Sequence, residues 1–339
     1  MHQLGKIACQ IDLYSLDYRS RVNVPLSRAQ LSLWWVIGED YHGGMAGPET
    51  KSVRQPAVAG LFYPGDAEIC RAVARSYLRA DDSAAGQRWI GGLVPHAGWK
   101  YSGILAGLTI ATMAAATDAD VVVVFGAIHS RATVDAAVLD NHARWRVPGG
   151  ESELPAETQR RLAENRSLFV IDERFHRNEH AVEVELPLIQ QAWPKARLLP
   201  IEVPVIEQAA EIGRITAQIM IAADNRAVFL ASSDLTHYGP GYGFVPAGVG
   251  QAGLDWAKDN DRRLLDLMME LPSEKVVPHV RQHHNACGGG AIAAMLSACR
   301  ELGATHCRLL RHANSHETSV DGPPRPPIDA VGYAASVVG

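Results

Sequence analysis

Histidines close several of the most apolar runs in this sequence, where imidazole can bind a transition metal or move a proton near neutral pH. His96 lies in Val94-Pro95-His96-Ala97-Gly98, in which proline fixes the approach and Gly98 permits a sharp turn beside a ligand. His129 ends a β-branched run, three residues after Gly126. Read alone, each is either a ligand or a polar loop residue bonded to backbone or solvent. Asp234-Leu235-Thr236-His237 has a spacing that lets a carboxylate fix an imidazole tautomer for general acid/base work. The competing reading makes Asp234 a cap of the following turn. Cys287 precedes Gly288-Gly289-Gly290 and a helical pattern, and a thiol at a helix N-terminus ionises more readily to the metal-binding thiolate. Cys70, Cys299 and Cys307 read instead as small apolar core residues. His180 and Glu183, three apart on one face of a predicted helix, are placed beside the pocket or as half of a metal site. The His-Glu-x-x-His order of zinc peptidases is absent, and His279, His283 and His284 read as a solvated face.

These residues need strands to present them. Trp89 to Val94, Ala119 to Phe125 and Ala227 to Ala231 read as strands, and each runs into a segment bearing histidine. Between them, Ser102 to Ala116, Glu179 to Ala192, Glu207 to Ala222, Gly253 to Glu270 and Gly288 to Leu302 have helical composition and spacing, the last closed by Gly303. Val331 to Val338 reads as a closing strand after the stiff Pro323-Pro324-Arg325-Pro326-Pro327 turn. The alternation predicts an α/β fold, a single domain with a mostly parallel central sheet flanked by helices. Open parallel sheets bind ligands beyond the carboxyl ends of their strands, so the histidine loops are expected to share one pocket.

Composition narrows the function classes. The chain has 339 residues, 20% charged and 47% apolar, and a net charge of -5. No basic stripe or reading module marks a nucleic-acid partner. The longest apolar runs fall short of the roughly 20 residues that span a bilayer. Five irregularly spaced cysteines do not form a disulfide framework, and with no secretory pattern at the N-terminus the expected location is the cytoplasm. Residues 1–52, with Trp34, Trp35 and the Gly43-Gly44, Gly47-Pro48 cluster, lack sustained periodicity and read as a disordered extension or the product of an over-extended start, Met45 standing just before the patterned region. Residues 53–339 read as the patterned domain expected to bind the metal.

The segments together resemble the Memo family, also called AmmeMemoRadiSam system protein B. Arg54 to Pro64 resembles the opening of Memo domains, and Pro95-His96-Ala97-Gly98-Trp99-Lys100-Tyr101-Ser102-Gly103 their first histidine motif. Gly126 to Ser130, Glu179-His180 to Leu186-Pro187, Ser232 to Gly239, Cys287 to Ile292 and Val331 to Ala334 follow in family order. Before His129 the chain reads Gly-Ala-Ile, where relatives often have a more polar or proline-containing turn. The resemblance implies a fold like that of class III extradiol ring-cleaving dioxygenases. It also implies a metal held by His96, His129 and Cys287, with Asp234 and His237 beside it as catalytic groups. Two imidazoles and a thiolate suit Fe(II) first, with copper or zinc as competitors. The expected activity is that of a metal-dependent, dioxygenase-like oxidoreductase acting on a small substrate. A metal-dependent hydrolase with His237 or Glu183 as base, and a non-catalytic metal- or peptide-binding protein, are the rivals. The family's system name implies radical-SAM and AMMECR-type proteins as partners.

Overall fold

The computed structural model describes residues 52–130, 132–318 and 328–339. The N-terminal tryptophans, the Gly43 to Pro48 cluster, Met45 and the Pro323 to Pro327 turn lie outside the described residues. In chain order the strands are β1 Val53–Arg54, β2 Gly91–Val94, β3 Val121–Gly126, β4 Ala137–Leu139, β5 Arg144–Val147, β6 Gly150–Glu153, β7 Phe169–Ile171, β8 Arg197–Glu202, β9 Ala227–Ser232, β10 His237–Tyr238, β11 Cys307–Asn314 and β12 Ala330–Val338. The α-helices are α1 Ala67–Tyr77, α2 Trp99–Ala116, α3 Ala156–Glu164, α4 Arg174–Arg177, α5 Leu186–Ala192, α6 Ala209–Ala222, α7 Gln251–Met269, α8 Ser273–His283, α9 Gly289–Glu301 and α10 Ser315–Thr318.

The main sheet runs β10-β12-β2-β9-β3-β8-β4-β7, with β11 also paired to β12. Its centre, β2-β9-β3-β8, is parallel. The flanks turn antiparallel where β12 meets β2 and β4 meets β8. β3 shows why: every residue of Val-Val-Val-Val-Phe-Gly is buried, as a strand covered on both faces requires. Its side chains alternate between two cores. Val121, Val123 and Phe125 join the core that also holds residues of α6, α8 and α9, whereas Val122 and Val124 join the core built with α1, α2 and α5. A smaller sheet, β1-β5-β6, tethers the start of the described chain.

The register brings the functional loops together. Val94 of β2 pairs with Ser232 of β9, and Phe125 of β3 pairs with Ala231. Three parallel strands therefore end side by side, and the segments carrying His96, Asp234–His237 and His129 leave at one edge. The mixed α/β class and the helices flanking the sheet follow the sequence pattern. One element differs. Glu179 to Ala192 is a turn, a 3-10 segment at Glu183–Glu185 and only then α5. The Glu179 side chain accepts from the amides of His180 and Ala181 at 2.8 and 3.1 Å, which competes with helix formation, and Pro187 suits only a helix's first turn. Among the described residues, no helix is long and apolar enough to cross a membrane.

Helices α6 and α9 cross closely because Gly213 faces the backbone of Ala294, where a Cβ would collide with a carbonyl oxygen. Gly213→Ala should therefore destabilise the protein by about 1–3 kcal/mol through overpacking. Urea denaturation measures this, and an unchanged midpoint would show that the crossing can yield.

Candidate metal centre

At the shared strand edge, one ligand atom from each of His96, His129 and His180 lies within 4.8 Å of the others. The three imidazoles are tightly packed, with ring centroids 4.5 to 5.3 Å apart. Hydrogen bonding dictates which nitrogen each presents. Ser232 donates its only hydroxyl hydrogen to the Ala181 carbonyl at 2.6 Å, so it accepts from His96 Nδ1 at 2.9 Å. Glu179 Oε1 accepts from His129 Nδ1 at 2.8 Å. The same carboxylate oxygen lies 3.2 Å from His180 Nδ1. With Nδ1 of His96 and His129 hydrogen-bonded, Nε2 of these two rings is left as the metal-binding nitrogen, the arrangement that orients imidazole ligands in metal sites. The donors thus could hold a metal ion.

Cys287 lies at this cluster. Its Sγ is 3.2 Å from His96 Nε2 and 3.8 Å from Ser233 Oγ. The loop is anchored where Gly288 N donates to Ser233 Oγ at 2.9 Å and Cys287 N to the Asp234 carbonyl at 3.3 Å. At Gly288 a Cβ would press on Ser233, so only glycine permits this approach.

Asp234 and His237 are not a pair. Asp234 Oδ1 accepts from His96 N at 2.8 Å, fixing the loop that carries His96. His237 Nδ1 donates to the Leu235 carbonyl at 3.0 Å, and its ring is edge-on to Tyr242 with centroids 5.0 Å apart. The three-residue separation suggests a local pair, but His237 is already in β10, where it pairs with Val331.

His180 belongs to the cluster itself, while Glu183 is committed elsewhere. Both Glu183 oxygens are consumed by an ion pair with Arg54, by the amides of Ala57 and Val58 at 2.7 and 2.9 Å, and by Tyr63 Oη at 2.7 Å. Fully buried and saturated, it cannot serve as a base. The expected shared helical face fails because residues 179–182 are not helical. Two contributors carried no assigned role in the sequence reading: Ser232, and Glu179 beside His180 in the family motif. The signals for the serine are its place as a polar residue ending an apolar strand and at the start of the Ser232 to Gly239 motif.

Electrostatics follow burial. Desolvation, then the neighbouring His129, His180 and His237, holds His96 well below the usual imidazole range. Burial and His129 push His180 down to about 4, and burial likewise brings His237 to about 4. These rings are neutral at pH 7. Burial opposes the charge of His129 too, but Cys287 and Glu179 outweigh it and raise this histidine. Burial also opposes the charge of Glu179, yet His129 and His180 hold it down at about 2. Burial raises Asp234 to about 7.

Fold and site together define an α/β protein with a three-histidine cluster, able to hold a metal ion, at the carboxyl ends of parallel strands. The sequence matches the family model described as Memo-like protein over residues 54–337. It is 30% identical over 293 residues to a MEMO1 family protein of Thermococcus onnurineus, spanning 84% of this chain and 99% of the relative. Similar proteins from Methanosarcina barkeri (31% over 291 residues, 84% and 100% covered) and Methanosarcina mazei (32% over 293 residues, 84% and 99% covered) are also MEMO1 family proteins. The chain belongs to the Memo family.

Removing Glu183 leaves Arg54 buried without its counter-charge, since the remaining acceptors are the carbonyls of His176 and Glu179. Glu183→Ala should cost about 3–5 kcal/mol of folding stability. A loss below about 1 kcal/mol in urea denaturation would contradict this anchoring role.

Proposed function

We propose that this protein is a metal-dependent oxidoreductase of dioxygenase type, with His96, His129 and Cys287 holding a transition ion and His180 as a fourth donor. The observation that carries the reading is the set of neighbouring imidazoles, each with one ligand atom within 4.8 Å of the others, in which His96 and His129 have Nδ1 hydrogen-bonded and Nε2 left for a metal. A bound ion would supply Lewis-acid and one-electron chemistry. Imidazole nitrogens with one thiolate make a donor set softer than two histidines and a carboxylate, which suits iron or copper.

The surrounding residues have separable tasks. His237 keeps Nε2 as a neutral acceptor because Nδ1 is bound to the Leu235 carbonyl and burial lowers its basicity. It is therefore placed to accept a hydrogen bond from a substrate hydroxyl without repelling the ion. Asp234 positions the His96 loop through its backbone contact. Phe62 against His180, with centroids 4.9 Å apart, and Tyr242 against His237 offer aromatic surface suited to a small apolar or aromatic substrate. The free thiols of Cys70, Cys287, Cys299 and Cys307 support a reducing, cytoplasmic setting. A three-imidazole set also suits zinc, and metal-assisted hydrolysis is the second reading that this set favours.

Anaerobic purification with metal analysis, followed by loading with Fe(II) and measurement of O2 consumption over a panel of catechols and other small aromatics, tests the assignment. His129→Ala should abolish metal binding and Cys287→Ala should at least weaken it strongly. Full occupancy in His129→Ala would refute the ligand set. Zinc as the resident ion, with no O2 consumption, would shift the assignment to hydrolysis.

A further inference from the structure

Helix α7 reaches both loops that complete the centre, through two adjacent polar residues that are each only 1% exposed. Asp261 Oδ1 accepts from Thr236 N at 2.9 Å, directly before His237. Its Oδ2 meets His312 Nε2 at 2.9 Å and fills the space over Gly332, where a Cβ would collide with it. Asn260 Nδ2 donates to Thr236 Oγ1 at 3.2 Å and to the His283 carbonyl at 2.9 Å. The Asn260 backbone carbonyl accepts from Asn285 Nδ2 at 2.9 Å, two residues before Cys287.

This is an expensive way to pack a helix. Asn260 Oδ1 and Asn285 Oδ1 are both buried without a hydrogen-bond partner. Burying an amide oxygen unpaired opposes folding, and a leucine at position 260 would cover the same face without that cost. What the asparagines add is a fixed separation between two segments distant in sequence. The His237 segment hangs from the Asn260 and Asp261 side chains, and the segment before Cys287 is held by the Asn260 side chain at the His283 carbonyl and by the Asn285 side chain at the Asn260 backbone.

We propose that Asn260 is a positioning residue: with Asp261 and Asn285 it clamps the His237 and Cys287 loops to α7 and so sets the donor geometry of the metal centre. The clamp rests on the metal-binding reading for its effect on affinity, but not for its effect on the thiol.

The test uses the full chain and its Asn260→Ala and Asn285→Ala variants, each checked by circular dichroism. Co(II) is titrated anaerobically while the thiolate-to-cobalt absorption is recorded, and the alkylation rate of Cys287 by iodoacetamide is followed in the metal-free protein by peptide mass spectrometry. Both variants should bind Co(II) roughly 10- to 100-fold more weakly, with a shifted or lost thiolate band, and should alkylate Cys287 faster than wild type. Should either fail to fold, the nearly isosteric Thr236→Val should show the weakened Co(II) binding while Thr236→Ser retains wild-type behaviour. Wild-type affinity, absorption and alkylation rate in the folded variants would overturn the clamp. A wild-type protein that binds no Co(II) would overturn the metal reading, and alkylation would then decide the clamp: faster labelling supports it and unchanged labelling refutes it.

Discussion

One buried carboxylate organises the centre. Glu179 receives the backbone N–H and the Nδ1 of His129 and the amides of His180 and Ala181, so it fixes two histidine-bearing loops at once. A carboxylate with this many donors stays ionised despite burial. Its charge in turn forces the His129 tautomer. Without it, the loop after β3 and the turn before α5 would lose this shared anchor, and His129 could present either nitrogen.

The rest of the site extends the same logic. Ser232 does for His96 what Glu179 does for His129, and Asp234 holds the backbone of the His96 loop as Glu179 holds that of His129. Glu183 saturates the Arg54 guanidinium and two amides in the segment leading to Phe62, which rests on His180. Charge inside this region is thus spent on holding backbone and tautomers. The rings of His96 and His180 remain neutral, as metal ligation requires.

Much of this was legible in the sequence because period and punctuation report local structure. The apolar runs at β3 and β9 could only be buried strands, and their ends located the histidines. Gly303 adopts the left-handed conformation expected of a helix terminator. What was not legible was the direction of side chains whose partners are distant. Asp234 and His237 are three apart and still diverge, one towards the loop after β2 and the other towards its own backbone. Glu183 reads as a site residue only if a helix starts at Glu179, and Glu179 prevents that by capping the next two amides, which periodicity does not report. The coupling of Asn260 to Asn285 spans 25 residues and likewise leaves no local trace.

The most direct measurement of the central claim is a crystal structure of the metal-loaded protein with anomalous scattering at the metal edge. The expected result is a single ion bonded to Nε2 of His96 and His129 and to Sγ of Cys287, with His180 as a fourth donor and the Nδ1 atoms of His96 and His129 still on Ser232 and Glu179. An ion elsewhere, or one bound through Nδ1 with those two hydrogen bonds broken, would contradict it.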